Sequence, residues 1–235
     1  LGCSVRTALA DLDNDGRLEY IVGQQYGDIY WYKMLAPDRW ERHLLGEHSP
    51  SDVGGVALDV DGDGFIDFVA GGAWYRNPRD SAQPFTRIVF DSDLRGAHDI
   101  AAADIDGDGR VEILTMSDQN NLRWYRIPAD PSQPWVRHDI GPGVHAGLSV
   151  GDIDGDGDLD IAGIRNWDSA PTYLYRNLLR GGGRLDSWTY IRISGDHVRT
   201  FGLCFPDADG DGDRDIASGP FLYLNPGPPL TGPWR

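Results

Sequence analysis

Four carboxylates packed into nine residues recur five times in this chain, each time as Asp-x-Asp-x-Asp-Gly-x-x-Asp/Glu. The copies are Asp11–Glu19, Asp59–Asp67, Asp104–Glu112, Asp152–Asp160 and Asp207–Asp215. Acids at loop positions one, three and five, a backbone carbonyl at seven and an acid at nine make an all-oxygen shell for a hard cation. In the first loop these are Asp11, Asp13, Asp15, the carbonyl of Arg17 and Glu19. The second offers Asp59, Asp61, Asp63, Phe65 and Asp67, and the third Asp104, Asp106, Asp108, Arg110 and Glu112. The fourth and fifth offer Asp152, Asp154, Asp156, Asp158 and Asp160, then Asp207, Asp209, Asp211, Asp213 and Asp215. Glycine at position six permits the tight turn that lets the oxygens converge. An EF-hand loop opens the same way but closes at position twelve on a helix; here the last acid falls at nine, on an entering strand. Carboxylate-rich ligation selects calcium, with manganese second, over zinc or copper. A polar hairpin turn explains a single Asp-Gly pair. It does not explain five copies with all twenty acids in place, so about five calcium ions are expected.

The repeated acid positions of the loops hold 20 of the 37 acidic residues and explain most of the formal charge of −16. Five divalent ions would bring that to about −6, an ordinary surface charge. No basic stripe exists to neutralise phosphates, so nucleic acid is not an expected partner. No apolar run approaches the length of a membrane span. Two cysteines, Cys3 and Cys204, leave open either a disulfide between the first and last repeats or two thiols. Calcium sites of modest affinity fit the outside of a cell, where the ion is abundant.

The first aspartates of successive loops are 48, 45, 48 and 55 residues apart, a period that signals an array of one supersecondary unit. Before each loop stands a short run of small and apolar residues, such as Thr7-Ala8-Leu9-Ala10. After it comes a β-branched run, such as Tyr20-Ile21-Val22. A third run carries a tyrosine column: Tyr32, Tyr75, Tyr125, Tyr175 and Tyr223. A fourth opens on Trp40, Phe85, Trp135, Trp188 and Trp234. Short aromatic and β-branched runs between Gly, Pro and Asp clusters are strand signals, and no helical period competes. The spacing predicts an all-β chain, a β-propeller of five four-stranded antiparallel blades with the acidic loop between strands one and two. The single domain covers 1–235, with blades at about 4–48, 53–93, 98–142, 146–195 and 199–235. Rings repeated at one position in every blade are expected to pack blade against blade. The fifth blade lacks most of its outer strand, because Pro233-Trp234-Arg235 matches only the opening of that strand. Further blades, a ring with one three-stranded blade, or a strand from another subunit would each account for this.

These loops and columns resemble the calcium-binding repeats called FG-GAP or VCBS, found in integrin α-chain propellers, propeller lectins and some polysaccharide lyases. The resemblance covers essentially the whole chain. It implies propeller blades and structural calcium on the loop acids, but the integrin Phe-Gly and Gly-Ala-Pro signatures are absent. Blades reading Ala73-Trp74-Tyr75-Arg76-Asn77-Pro78 are similar to microbial extracellular members. The activities of that family are too varied to transfer one.

In such a fold, the connections between blades and the second-to-third strand turns share the rim opposite the loops. His48, His98, His145 and His197 fall in the connections; Tyr26, Asn166, Trp167 and Asp168 fall in the turns. His98 and His145 are the candidates for a general base or a transition-metal ligand. Trp167 with Asn166 and Asp168, joined by His48, His197 and Tyr26, suits a glycan or protein contact. His43 and His138 repeat on outer strands and are expected to be plain surface residues. The reading is an extracellular or cell-surface propeller that acts in binding or assembly, through glycan recognition, adhesion, or a layer or fibre. A homo-polymer through the open fifth blade belongs to that reading. The alternative is a metal-assisted polysaccharide lyase or sugar dehydratase using the histidine rim. No nucleotide, dinucleotide or Gly-x-Ser-x-Gly motif is present.

Overall fold

The computed structural model describes residues 7–23, 27–47, 54–94, 97–117, 121–142, 146–164, 171–180, 187–194 and 203–235. These residues form nineteen strands and, among them, no helix. The strands build five antiparallel sheets, each in sequence order. Sheet one is β1 (Thr7–Ala10), β2 (Glu19–Gly23), β3 (Ile29–Ala36) and β4 (Arg39–Gly46). Sheet two is β5 (Val56–Leu58), β6 (Asp67–Ala70), β7 (Ala73–Arg76) and β8 (Thr86–Val89). Sheet three is β9 (Ala97–Ala103), β10 (Glu112–Ser117), β11 (Asn121–Arg126) and β12 (Val136–Pro142). Sheet four is β13 (Ala146–Gly151), β14 (Asp160–Ile164), β15 (Thr172–Asn177) and β16 (Trp188–Arg192). Sheet five has three strands, β17 (Leu203–Cys204), β18 (Ile216–Ser218) and β19 (Phe221–Tyr223), as the shortened last repeat predicts. No helix among the described residues is long and apolar enough to cross a membrane.

The chain divides into two compact units. The first holds residues 1–100, 117–119 and 125–136; the second holds 101–116, 120–124 and 137–235. Within the first unit, Ile21 on β2 pairs across the ladder with Trp31 on β3, and both are buried with Leu45 against Phe68 and Tyr75 of sheet two. A Cβ on Gly46 would stand 2.2 Å from Cε1 of Tyr75, so only glycine lets β4 pass that ring. Gly55 meets the Phe68 ring in the same way. In this unit too, Phe90 stacks on Trp135 at 4.0 Å and the Tyr125 hydroxyl donates to Asp91 Oδ2 at 2.6 Å.

Within the second unit, Trp124, Leu148, Ile161 and Tyr175 share one cluster, and Leu174, Ile216 and Tyr223 another. β6 and β14 are buried at every position, which explains why, after their opening aspartates, their sequences run on without polar residues rather than alternating. Ser149 Oγ donates to the Leu203 carbonyl at 2.6 Å, tying β13 to β17. In sheet five, Leu224 and Arg235 exchange backbone hydrogen bonds, the opening of a fourth strand.

The tyrosine column is buried in four sheets, at Tyr75, Tyr125, Tyr175 and Tyr223. Sheet one differs: Tyr32 is half-buried, and with Tyr20, Val22 and Trp40 it lines a shallow apolar depression. His43 and His138 are not plain surface residues. His43 stacks on buried Trp31 at 4.0 Å and His138 on buried Trp124 at 3.9 Å. Each flat imidazole shields an indole face that its outer strand would otherwise leave in water.

Candidate metal centres

Each acidic loop spans the turn from the first strand of its sheet to the second, and the five share one hydrogen-bond scheme. The position-five acid accepts the N–H of position seven at 2.9 Å in all five, at Asp15, Asp63, Asp108, Asp156 and Asp211. The position-one acid accepts the N–H of the glycine at six in four of them, as Gly16 N to Asp11 Oδ2 at 2.8 Å and Gly64 N to Asp59 Oδ2 at 2.9 Å. These bonds curl the backbone so that side chains from alternate positions face one point. The six-position glycines lie at φ between 84° and 96°, in the left-handed region. Position four is left-handed too, with Asn14 at 57° and Gly62, Gly107, Gly155 and Gly210 at 71° to 78°. The sequence carries that signal, since position four is Asn once and Gly four times, the residues that tolerate such a backbone.

The closing acid is the buried member. Glu19, Asp67, Glu112, Asp160 and Asp215 are each no more than 1% exposed. Each accepts the N–H of position two, as Leu12 N to Glu19 Oε2 at 2.8 Å and Val60 N to Asp67 Oδ2 at 3.0 Å. Without a cation beside them, burial pushes Asp67 up to about 6 and Glu112 and Asp160 up to about 7. Hidden carboxylates that resist ionisation are the mark of a site built around a positive charge.

A second set of residues escaped the sequence reading. Where the closing acid is Asp, an Asn stands two residues after the column tyrosine; where it is Glu, Met34 or Ile127 stands there. Asn77 N donates to Asp67 Oδ1 at 2.7 Å, Asn177 N to Asp160 Oδ1 at 2.8 Å, and Asn225 N to Asp215 Oδ1 at 2.9 Å. The amide groups reach further. Asn77 Nδ2 donates to the carbonyls of Ile66 and Leu12, Asn177 Nδ2 to Leu159 and Ile105, and Asn225 Nδ2 to Arg214 and Ile153. Each clamp therefore joins its own loop to the loop of the preceding sheet, within one unit every time.

The donor set fits a hard divalent ion. In all five loops three acids offer oxygens within 4.8 Å of one another, for example Asp59, Asp61 and Asp67, or Asp152, Asp154 and Asp160. Asp13 Oδ1, Asp61 Oδ1 and Asp104 Oδ1 are buried and accept no hydrogen bond, as ligand oxygens awaiting a cation do. The ligands are all oxygen, with no sulfur or imidazole among them.

The rim residues His48, His145, His197, Tyr26, Asn166, Trp167 and Asp168 lie outside the described residues, as does the pairing of Cys3 with Cys204. Cys204 itself is exposed. His98 stands on β9. The described surface adds a cleft of about 700 Å³ in the second unit, lined by Arg176, Tyr190, Arg192 and Trp234 among others.

Five antiparallel sheets, each carrying an acid-lined loop of one geometry, define an all-β repeat protein organised around candidate metal sites. Its family follows from three overlapping matches to the FG-GAP-like repeat at residues 11–70, 59–115 and 104–163, which together span more than half of the chain; it belongs to that family. No curated protein matches the sequence. Among solved structures it is similar to the V. cholerae biofilm matrix protein Bap1, with 17% identity and a TM-score of 0.52 over 96% of this chain and 36% of that one. It also aligns with rhamnogalacturonan lyase YesW, at 13% identity and a TM-score of 0.46, over 98% of this chain and 57% of that one. The chain thus spans less than two thirds of either protein.

Proposed function

We propose that this chain is an extracellular β-propeller of five blades, loaded with about five structural calcium ions, that acts in binding or assembly rather than catalysis. One observation carries this reading. Every cluster of metal-ligating side chains among the described residues is a copy of the same loop. A catalytic centre needs one asymmetric constellation of differing roles, whereas a device repeated in every sheet serves the scaffold. The fold likeness to a biofilm matrix protein supports a role outside the cell.

Calcium at Asp11, Asp59, Asp104, Asp152, Asp207 and their partners neutralises each loop and fixes first strand to second. The contact surface is then built from what the repeat does not require. That includes the connections carrying His48 and His197, the turns carrying Tyr26, Asn166, Trp167 and Asp168, and Tyr190 in the cleft, whose ring suits a sugar face. The three-stranded fifth sheet is where a strand from another polypeptide would add.

The test is retention on a panel of polysaccharides in calcium and in EDTA, with ultraviolet absorbance of the same mixtures followed over time. Calcium-dependent retention that Tyr190→Ala or Trp167→Ala weakens, with no absorbance change, is the expected result. Growth of an unsaturated-sugar chromophore that His98→Ala or His145→Ala abolishes would replace this reading with a lyase.

A further inference from the structure

In every repeat one residue follows the column tyrosine of the third strand. It is Lys33, Arg76, Arg126, Arg176 or Leu224. In three sheets its charge enters the acid cluster. Lys33 Nζ pairs with Asp13 and, at 2.7 Å, with Asp15. Arg76 Nε pairs with Asp61 Oδ2 at 2.7 Å. The Arg176 guanidinium pairs with Asp154 and, at 3.4 Å, with Asp156. A second arginine joins two of these loops, Arg79 to Asp63 at 2.6 Å and Arg180 to Asp158 at 3.4 Å. The fifth loop has none: Leu224 fills the position, Arg214 points to the Phe205 carbonyl, and among the described residues no basic side chain pairs with Asp207–Asp215.

These cations sit on the acids that face the metal position. Asp13 and Asp61 each give one oxygen to the basic side chain while the other, Oδ1, is buried and bare.

We propose that Lys33, Arg76 and Arg176 are tethered counter-cations that hold their loops when calcium is absent and oppose its entry, so that the fifth loop, with Leu224 in their place, binds the ion more tightly than those three loops and fills before them. The inference rests on the calcium reading above. A fixed positive charge about 5 Å from a divalent ion, in a half-exposed setting, weakens binding on the order of tenfold. The loops then form a graded series. Calcium first sets the turn beside the Asn225 clamp and only at higher concentration displaces the tethered side chains elsewhere.

A competition titration of the full chain against a chromophoric calcium chelator tests this. The parent should show at least two classes of site. Lys33→Gln and Arg176→Gln should each tighten one weak site by about tenfold, yet lower the melting temperature in EDTA, because the same charge supports the empty loop. Loss of a merely structural contact would lower the melting temperature and tighten nothing. Leu224→Arg should weaken the tight site by about tenfold; if that variant does not fold, the two glutamine variants decide alone. Five equal sites, or glutamine variants whose affinities are unchanged or weaker, overturn the inference and leave the calcium reading standing. Absence of any calcium uptake overturns both.

Discussion

At the residue scale, the loops show how much a single backbone angle controls. Gly64 lies at φ 87° and a Cβ there would meet nothing within 4 Å. The cost of Gly64→Ala is therefore conformational alone, about 1 kcal/mol. It should lower the melting temperature in calcium by about 2–4 °C, as scanning calorimetry would measure. An unchanged transition would mean that the loop does not hold this conformation in solution. The acid and glycine positions were legible in the sequence, because both side-chain type and left-handed geometry leave a compositional mark. Asn14 shows the limit: one Asn among four glycines at position four reads as variation, yet it adopts the same left-handed turn and its Nδ2 also donates to the Gly64 carbonyl at 3.1 Å. A bond between residues fifty apart has no local signature.

At the element scale, the strands followed from periodic β-branched and aromatic runs, and the tyrosine column from its recurrence. What joins the sheets was harder to read. Asn77, Asn177 and Asn225 recur visibly after the third strand, but their targets, the carbonyls of Leu12, Ile105 and Ile153, lie one repeat upstream and are backbone atoms that no sequence pattern marks. His43 and His138 depart from expectation for a related reason: a place on an outer strand does not show that an indole lies beneath the ring. The clamp makes a quantitative expectation. Asn177→Ala keeps the backbone bond to Asp160 but strips the donor from the Ile105 and Leu159 carbonyls, at 3.0 and 3.3 Å. A buried acceptor and a part-buried one left bare cost about 2–4 kcal/mol. Urea unfolding of the variant in saturating calcium measures this, and a loss below about 0.5 kcal/mol would show that water replaces the clamp without penalty.

At the scale of the whole molecule, the proposed cations would work against the cost of burying acid, and pH exposes the balance between the two. With no ion present, burial holds Asp67 near 6 and Glu112 and Asp160 near 7, above the values of an unfolded chain. A carboxyl whose native value is raised carries more protons folded than unfolded, so stability falls as pH rises from about 4 through 7. Asp15 and Asp63, held low by Lys33 and Arg79, act with the opposite sign, and their contribution is lost only as pH falls below about 4. In EDTA, then, the melting temperature should decline between about pH 4.5 and 7. On the proposed calcium reading the logic reverses, since the ion would bind the ionised loop and leave the unfolded chain nearly alone. A site held at a thousandfold excess over its dissociation constant adds about 4 kcal/mol. Even one such site should raise the melting temperature by about 10 °C at pH 7, with less gained at pH 5 where protons compete for the closing acids. The measurement is a set of melting curves across pH in EDTA and in millimolar calcium. Curves that coincide at pH 7 would sink the metal-centred account of the fold, and an EDTA curve that rises with pH would mean the closing acids are solvated rather than buried.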